Sequence, residues 1–297
     1  MRRKAILCLA VSATICGSVA LAQGSSSEAA PSWSVGWEPV RLVNGTPIFF
    51  RVKAPRGIES LSGEWLGHKV FLSFDARSKT WTGIAGVSLE TKPGTYSLQL
   101  SGSKERGKEV SFAKKLVVHA ARYPRIAVTV AKKFTEPSPE QLQIIKQDQT
   151  IKEDVFREVS AQREWSGRFV APADARVSDV FGTRRIFNGE TQSVHQGLDY
   201  AVPQGTPVVA LNAGTVLLAR SLYFEGNCVV LDHGQGLLTI YMHLSEFKVK
   251  QGDRLAPGQE LGLSGGTGRV TGPHLHVAVR WEGVYLDPAT LLKLKLP

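Results

Sequence analysis

The sequence predicts a mainly β protein: a small N-terminal β-sandwich, a helical connector, and a β-rich C-terminal domain. Three observations carry this. Short runs alternate apolar and polar residues and are bounded by turn residues. The 297 residues include 29 Gly and 15 Pro but two Met, which favours many turns over long helices. Only one segment combines a complete helix start signal with a run of helix formers. At 42% apolar and 21% charged, the chain is an ordinary globular one, not a disordered chain, a collagen or a coiled coil. Three Cys exclude a disulfide-stapled mini-protein.

Residues 1–22 read as a secretory signal peptide. Arg2, Arg3 and Lys4 form a basic start, Ala5 to Val19 an apolar stretch, and Ala20-Leu21-Ala22 a small-x-small cleavage site. Ile15 before Cys16 argues against a lipoprotein signal. Removing this segment leaves Cys228 as the one thiol, so no intramolecular disulfide forms. It also takes three of the 36 basic residues, leaving 33 against 26 acidic ones, a net +7. An exported basic protein meets anionic surfaces. The charge is spread along the chain without a dense Lys/Arg block, so no nucleic-acid partner is expected. No other stretch approaches the roughly 18 apolar residues of a membrane span, so no stable membrane insertion is expected after cleavage. The expected location is the periplasm or cell envelope, or outside the cell.

Residues 23–32 are small and polar, a flexible lead. Residues 33–134 read as the sandwich. Thr46 to Val52 has strand composition. His68 to Phe74 alternates, with Val70, Leu72 and Phe74 on one side. Tyr96, Leu98 and Leu100 face inward after a Pro93-Gly94 turn. Leu116 to His119 adds another short strand. The immunoglobulin-like description is architectural only, because no Cys…Trp…Cys pattern is present. Asn44-Gly45-Thr46 fits a glycosylation acceptor but reads better as a turn.

Residues 135–160 form the connector. Ser138-Pro139-Glu140-Gln141 supplies an N-cap, a Pro at the first helical position and Gln three residues past the cap, predicting a helix over about 139–160. Lys146 and Lys152 among Asp148, Glu153 and Asp154 read as a solvated face. Residues 161–297 return to strands: Arg168 to Val170, Val208 to Leu211, Gly214 to Leu217, Cys228 to Leu231, and Leu237 to His243. In the last, Thr239, Tyr241 and His243 share a face by strict alternation.

Five of the seven His fall in the last 103 residues. His195 and Asp199 lie four apart, His243 ends a strand, and His274 and His276 are two apart on one strand face. Zinc suits these residue types: a catalytic zinc takes three His or carboxylate ligands and keeps one position for water. Spacing leaves open which of His274 and His276 would bind it. His233, between Asp232 and Gly234, reads as a structural turn residue, and His68 and His119 as surface or packing residues. Cys228 reads as inert and buried. Arg184 and Arg185 could contact an acidic substrate group or belong to a solvated loop.

Taken in order, His195-x-x-x-Asp199, Tyr241-Met242-His243-Leu244-Ser245 and His274-Leu275-His276 resemble the signature of the lysostaphin-type (LytM) zinc endopeptidases, which cleave peptide bonds in bacterial peptidoglycan. Phe181-Gly182, Ala213 to Val216, Asp232-His233-Gly234 and the stretch from Ser264-Gly265 to Asp287-Pro288 extend the likeness over about 166–292, under half of the chain. The resemblance implies that the C-terminal domain is a LytM-type peptidase. It implies that His195, Asp199 and His276 bind Zn2+, and that His243 and His274 are the catalytic histidines. The implied partner is the peptide stem of peptidoglycan. All five positions are filled, unlike in relatives that lost them and regulate other wall hydrolases. That favours an enzyme over a non-catalytic or latent wall-binding regulator. A competing nucleophile-elbow pattern, Gly262-Leu263-Ser264-Gly265-Gly266, is followed by a Gly-rich run unsuited to helix and reads better as a groove-side loop. The sequence leaves open the bond cut and the oligomeric state.

Overall fold

Alternation places the inward residues of the first strands correctly and fails at one crossing. The computed structural model describes residues 32–158, 160–187, 189 and 191–297; the leader read at 1–22 and nearly all of the 23–32 segment lie outside the described residues. The first strands are β1 (Ser34–Glu38), β2 (Leu42–Val43), β3 (Pro47–Lys53), β4 (Ile58–Trp65), β5 (His68–Phe71), β6 (Ser73–Asp75), β7 (Thr80–Gly86), β8 (Gly94–Lys104) and β9 (Glu109–His119). They form one sheet in the order β1-β3-β7-β6 and another in the order β2-β9-β8-β4-β5. Side chains meet between the sheets. Phe50 packs edge-on to Trp65 at 6.3 Å, and Trp65 Nε1 donates to Gly86 O at 2.9 Å. Leu98 and Leu100 are buried as alternation requires. Phe74 is not: it is 52% exposed, because the chain leaves one sheet after Phe71 and joins the other at Ser73, which breaks the alternation. Asn44 is buried and its amide donates to Leu89 O while its Oδ1 accepts from Ala121 N, so it is a turn residue with no room for a glycan.

The chain then adds a strand to its second half. β10 (Arg125–Val128) runs parallel to a strand formed later by Arg184–Phe187. Helix α1 (Pro139–Arg157) follows, with the expected capping box: Gln141 N donates to Ser138 Oγ at 3.3 Å and Ser138 N donates to Gln141 Oε1 at 2.9 Å. Its supposedly solvated face is partly a docking face. Asp148 is buried and accepts from Tyr223 N at 2.6 Å, and Lys152 pairs with Glu225 at 2.5 Å. A polar stripe on a helix cannot reveal that a distant loop will cover it.

The remaining strands are β11 (Val177–Asp179), β12 (Arg184–Phe187), β13 (Thr191–Val194), β14 (Leu198–Tyr200), β15 (Pro207–Val209), β16 (Gly214–Leu222), β17 (Gly226–Asp232), β18 (Leu237–Leu244), β19 (Glu246–Phe247), β20 (Arg254–Leu255), β21 (Glu260–Leu263), β22 (Leu275–Trp281) and β23 (Val284–Leu286), before helix α2 (Pro288–Leu291). Arg168 to Val170 forms no strand; Val170 N donates to Leu211 O at 2.9 Å. The main sheet runs β11-β14-β22-β18-β17-β16-β20, with β23 beside β22. Its strands are buried on both faces. Val229, Leu231, Tyr241, Val277 and Val279 point into the large core. Cys228, Val230, Leu238, Ile240 and Ala278 point the other way and are covered by Val155 of α1. The large core continues into the first half, where Phe49 meets Trp165 at 6.2 Å and Asp287 N donates to Gly45 O at 2.8 Å. Among the described residues no helix is long and apolar enough to cross a membrane.

Candidate metal centre

Register builds the centre. Asp199 on β14 stands directly opposite His276 on β22, so their side chains project from one face as cross-strand neighbours. Met242 on β18 faces His276 from the other side. His195 lies beyond the end of β13 and is clipped in place, its N donating to Thr183 O at 2.8 Å and its O accepting from Gly182 N at 2.7 Å.

Three donor atoms converge there. His195 Nε2 lies 3.0 Å from Asp199 Oδ1 and 3.0 Å from His276 Nδ1, and His276 Nδ1 lies 2.7 Å from Asp199 Oδ1. All three residues are buried. The His195 ring places Nδ1 2.9 Å from Val180 O, which fixes the proton on Nδ1 and leaves Nε2 as a lone pair aimed inward. Three donors on a tetrahedral Zn2+ at about 2.0–2.1 Å would stand about 3.3 Å apart, close to the spacing seen. A cation satisfies such a cluster better than one shared proton can. The residues therefore fit a divalent metal of zinc type.

The outer contacts were not legible in the sequence. Arg185 donates to Asp179 Oδ2 through Nε at 2.8 Å and Nη2 at 2.6 Å, and its Nη2 also reaches Asp199 Oδ2. Arg185 thus orients Asp199, whereas Arg184 is exposed. Burial by itself would raise the Asp199 carboxyl, but hydrogen bonds and charge from His195 and His276 hold it well below the usual carboxylate range. Burial pushes His276 down, against the pull of Asp199.

His243 arrives by a route that alternation misses. Strict alternation would put it with Tyr241 on the core side. A β-bulge between the pairs Asn227↔Leu244 and Val229↔Tyr241, with His243 at φ +65°, turns it onto the face of His276. Such a conformation costs about 1 kcal/mol or more for a non-Gly residue and is held by its surroundings. His243 N donates to Glu225 O at 2.9 Å and Nδ1 lies 2.8 Å from Thr267 O. Its ring is 4.9 Å from that of His274 and 6.1 Å from that of His276. Burial, then the neighbouring His276 and His274, push His243 down to about 3. His274 places Nδ1 2.8 Å from Gly272 O and Nε2 3.8 Å from Asp199 Oδ1. All five residues singled out in the sequence therefore line one cleft. The cleft has a volume of about 510 Å3, and Ile126, Val128, Lys152, Glu225 and Arg269 also border it.

The other candidates lie outside it. His233 is buried, with Nδ1 2.6 Å from Ala213 O and Nε2 2.8 Å from Thr239 Oγ1, and burial pushes it down to about 4. Ser264 donates to Pro203 O at 2.6 Å and accepts from Thr206 N at 3.0 Å, tying two loops with no base beside it. Cys228 is buried among apolar side chains and burial raises its thiol.

The segment 193–288 matches the model of peptidase family M23. The chain carries an M23 peptidase domain. The chain is 41% identical over 140 residues to the peptidoglycan DD-endopeptidase ShyA of Vibrio cholerae, a match covering 46% of this chain and 31% of that protein. It is 40% identical over 116 residues to the DD-carboxypeptidase/endopeptidase Mpg of Neisseria meningitidis, covering 39% and 27%. The chain thus spans less than a third of either relative. A crystal structure described as an M23 peptidase from Pseudomonas aeruginosa superposes with a TM-score of 0.66 at 27% identity, over 85% of this chain and 95% of that one. This likeness reaches beyond the M23 domain into the first half.

Proposed function

We propose that the protein is a zinc metalloendopeptidase that hydrolyses peptide cross-links of peptidoglycan. The observation that carries this reading is the convergence of His195 Nε2, Asp199 Oδ1 and His276 Nδ1 within 3.0 Å of one another at the floor of a cleft. Zn2+ held by these three would supply a Lewis acid and lower the pKa of water in the cleft. His243 and His274, each with Nδ1 against a backbone carbonyl, turn Nε2 toward the cleft. One can take a proton from the attacking water while the other, once protonated, donates to the oxyanion. Arg185 keeps Asp199 oriented as a ligand. Glu225 and Arg269 give the cleft charges of both signs to position a stem peptide.

The first half reads as an immunoglobulin-like sandwich. The orders β1-β3-β7-β6 and β9-β8-β4-β5 support this, since they correspond to strands A-B-E-D and G-F-C-C′ of that architecture. The domain limits 33–134, 135–160 and 161–297, and export to the periplasm or envelope, complete the reading.

Digestion of purified peptidoglycan by residues 23–297, with and without a chelator, tests it by mass spectrometry. New peptide ends that vanish with chelator and return with zinc are expected. Zinc uptake and capture of sacculi without new ends would refute an active enzyme. They would favour a latent regulator, a reading supported by Ile126 and Val128 of the first half and Lys152 of the connector along the cleft wall.

A further inference from the structure

The positive charge is not shared evenly. Residues 33–134 hold 17 Lys/Arg against 7 Asp/Glu, whereas residues 135–297 hold 16 against 18. The fold gathers part of that excess at one end of the first half. Three turns meet there: 54–57 between β3 and β4, 76–79 between β6 and β7, and 105–108 between β8 and β9. Register places them together, since Val52 lies opposite Trp81 and Ile58 opposite Lys104. Lys53, Arg56, Arg77, Lys79, Arg106 and Lys108 are exposed there, and none is ion-paired among the described residues. The facing carboxylates are Glu59, Asp75, Glu105 and Glu109. Asp75 is engaged by its own turn, accepting from Arg77 N at 2.9 Å and Ser78 Oγ at 2.6 Å.

Two features distinguish this end from a merely solvated one. Phe74, 52% exposed, stands beside the 76–79 turn with its ring 5.3 Å from that of Trp81. The chain also enters the fold here, because Ser34 pairs with Lys53. The opposite end of the sheets, at Gly45, packs against Tyr123 and Phe181, on the path to the cleft wall.

We propose that this end docks on an anionic lipid bilayer, with the turn cations against headgroup phosphates and Phe74 at the interface, leaving the cleft free to face outward. Cations near such a surface each strengthen binding several-fold, and salt screens the effect.

The test is co-sedimentation of residues 23–297, which retain the whole described unit, with phosphatidylcholine vesicles with or without phosphatidylglycerol. Binding to the anionic vesicles alone, falling as salt rises, is expected. The variant Lys53→Gln/Arg56→Gln/Lys79→Gln/Lys108→Gln should bind about 100-fold less tightly or worse. Lys248→Gln/Lys250→Gln/Arg254→Gln, exposed on the second half, should bind as wild type. Phe74→Ser should weaken vesicle binding without changing retention on inorganic polyphosphate. Equal binding to neutral vesicles, or an unaffected quadruple variant, would overturn the proposal. So would polyphosphate binding as tight as vesicle binding with no effect of Phe74→Ser, which would assign the end to a soluble polyanion. Thermal melts of each variant confirm that a loss is not unfolding.

Discussion

Gly197→Ala tests whether the two strands carrying Asp199 and His276 hold the metal donors in place. A Cβ at Gly197 would sit 2.4 Å from Val277 O and 2.6 Å from His276 Nε2, against an ordinary contact of 3.4–4 Å. Close to 1 Å must be found. Val277 is fixed by the β14–β22 ladder through its pairing with Leu198, so the His276 ring is the softer partner. Metal–ligand distances tolerate only about 0.2 Å of error. Zinc affinity should therefore fall about 10–100-fold, or about 1.4–2.8 kcal/mol. Overpacking should also cost about 1–3 kcal/mol of metal-free stability. Competition against a chromophoric chelator measures the first and urea unfolding the second. Wild-type zinc affinity in a destabilised variant would mean that the backbone had moved instead of the ring, and would refute this account of the site.

His243→Ala should keep wild-type zinc affinity and lower peptidoglycan cleavage about 10²–10⁴-fold; loss of zinc with activity would make His243 a ligand. Tyr241→Phe should cost about 1–3 kcal/mol in urea unfolding, because Leu211 N donates to the buried Tyr241 hydroxyl at 2.8 Å and would lose its partner; an unchanged midpoint would count against it. Asp232 is pushed up to about 6, chiefly by burial and by the charges of Glu164 and Glu158, although Gly234 N donates to it. Its folded pKa is raised, so the stability it contributes is full below about pH 3.8 and is lost as pH rises to about 6. Asp232→Asn should therefore melt above wild type at pH 8, by about 1–2 kcal/mol, with the gap closing by pH 4. A gap independent of pH would refute the assignment.

The donor types and their order along the chain were legible because each is a local fact. His195 and Asp199 lie four residues apart, and His274 and His276 share a face by the two-residue period. The capping box at Ser138 was equally local, since its partners lie three residues apart. Phe74 was misplaced because alternation assumes that a strand stays in one sheet, and Asp148 because its partner, Tyr223, lies 75 residues away.

By itself the sequence determined the mainly β character, the start of the helix and which five residues share the cleft. Tertiary structure decided how they meet. Cross-strand register set Asp199 against His276, a bulge turned His243 from the core face to theirs, and Arg185 reached Asp199 from a different strand. Those outcomes depend on which strands become neighbours and in what register. A chain read one residue after another carries that information only through the packing of the whole.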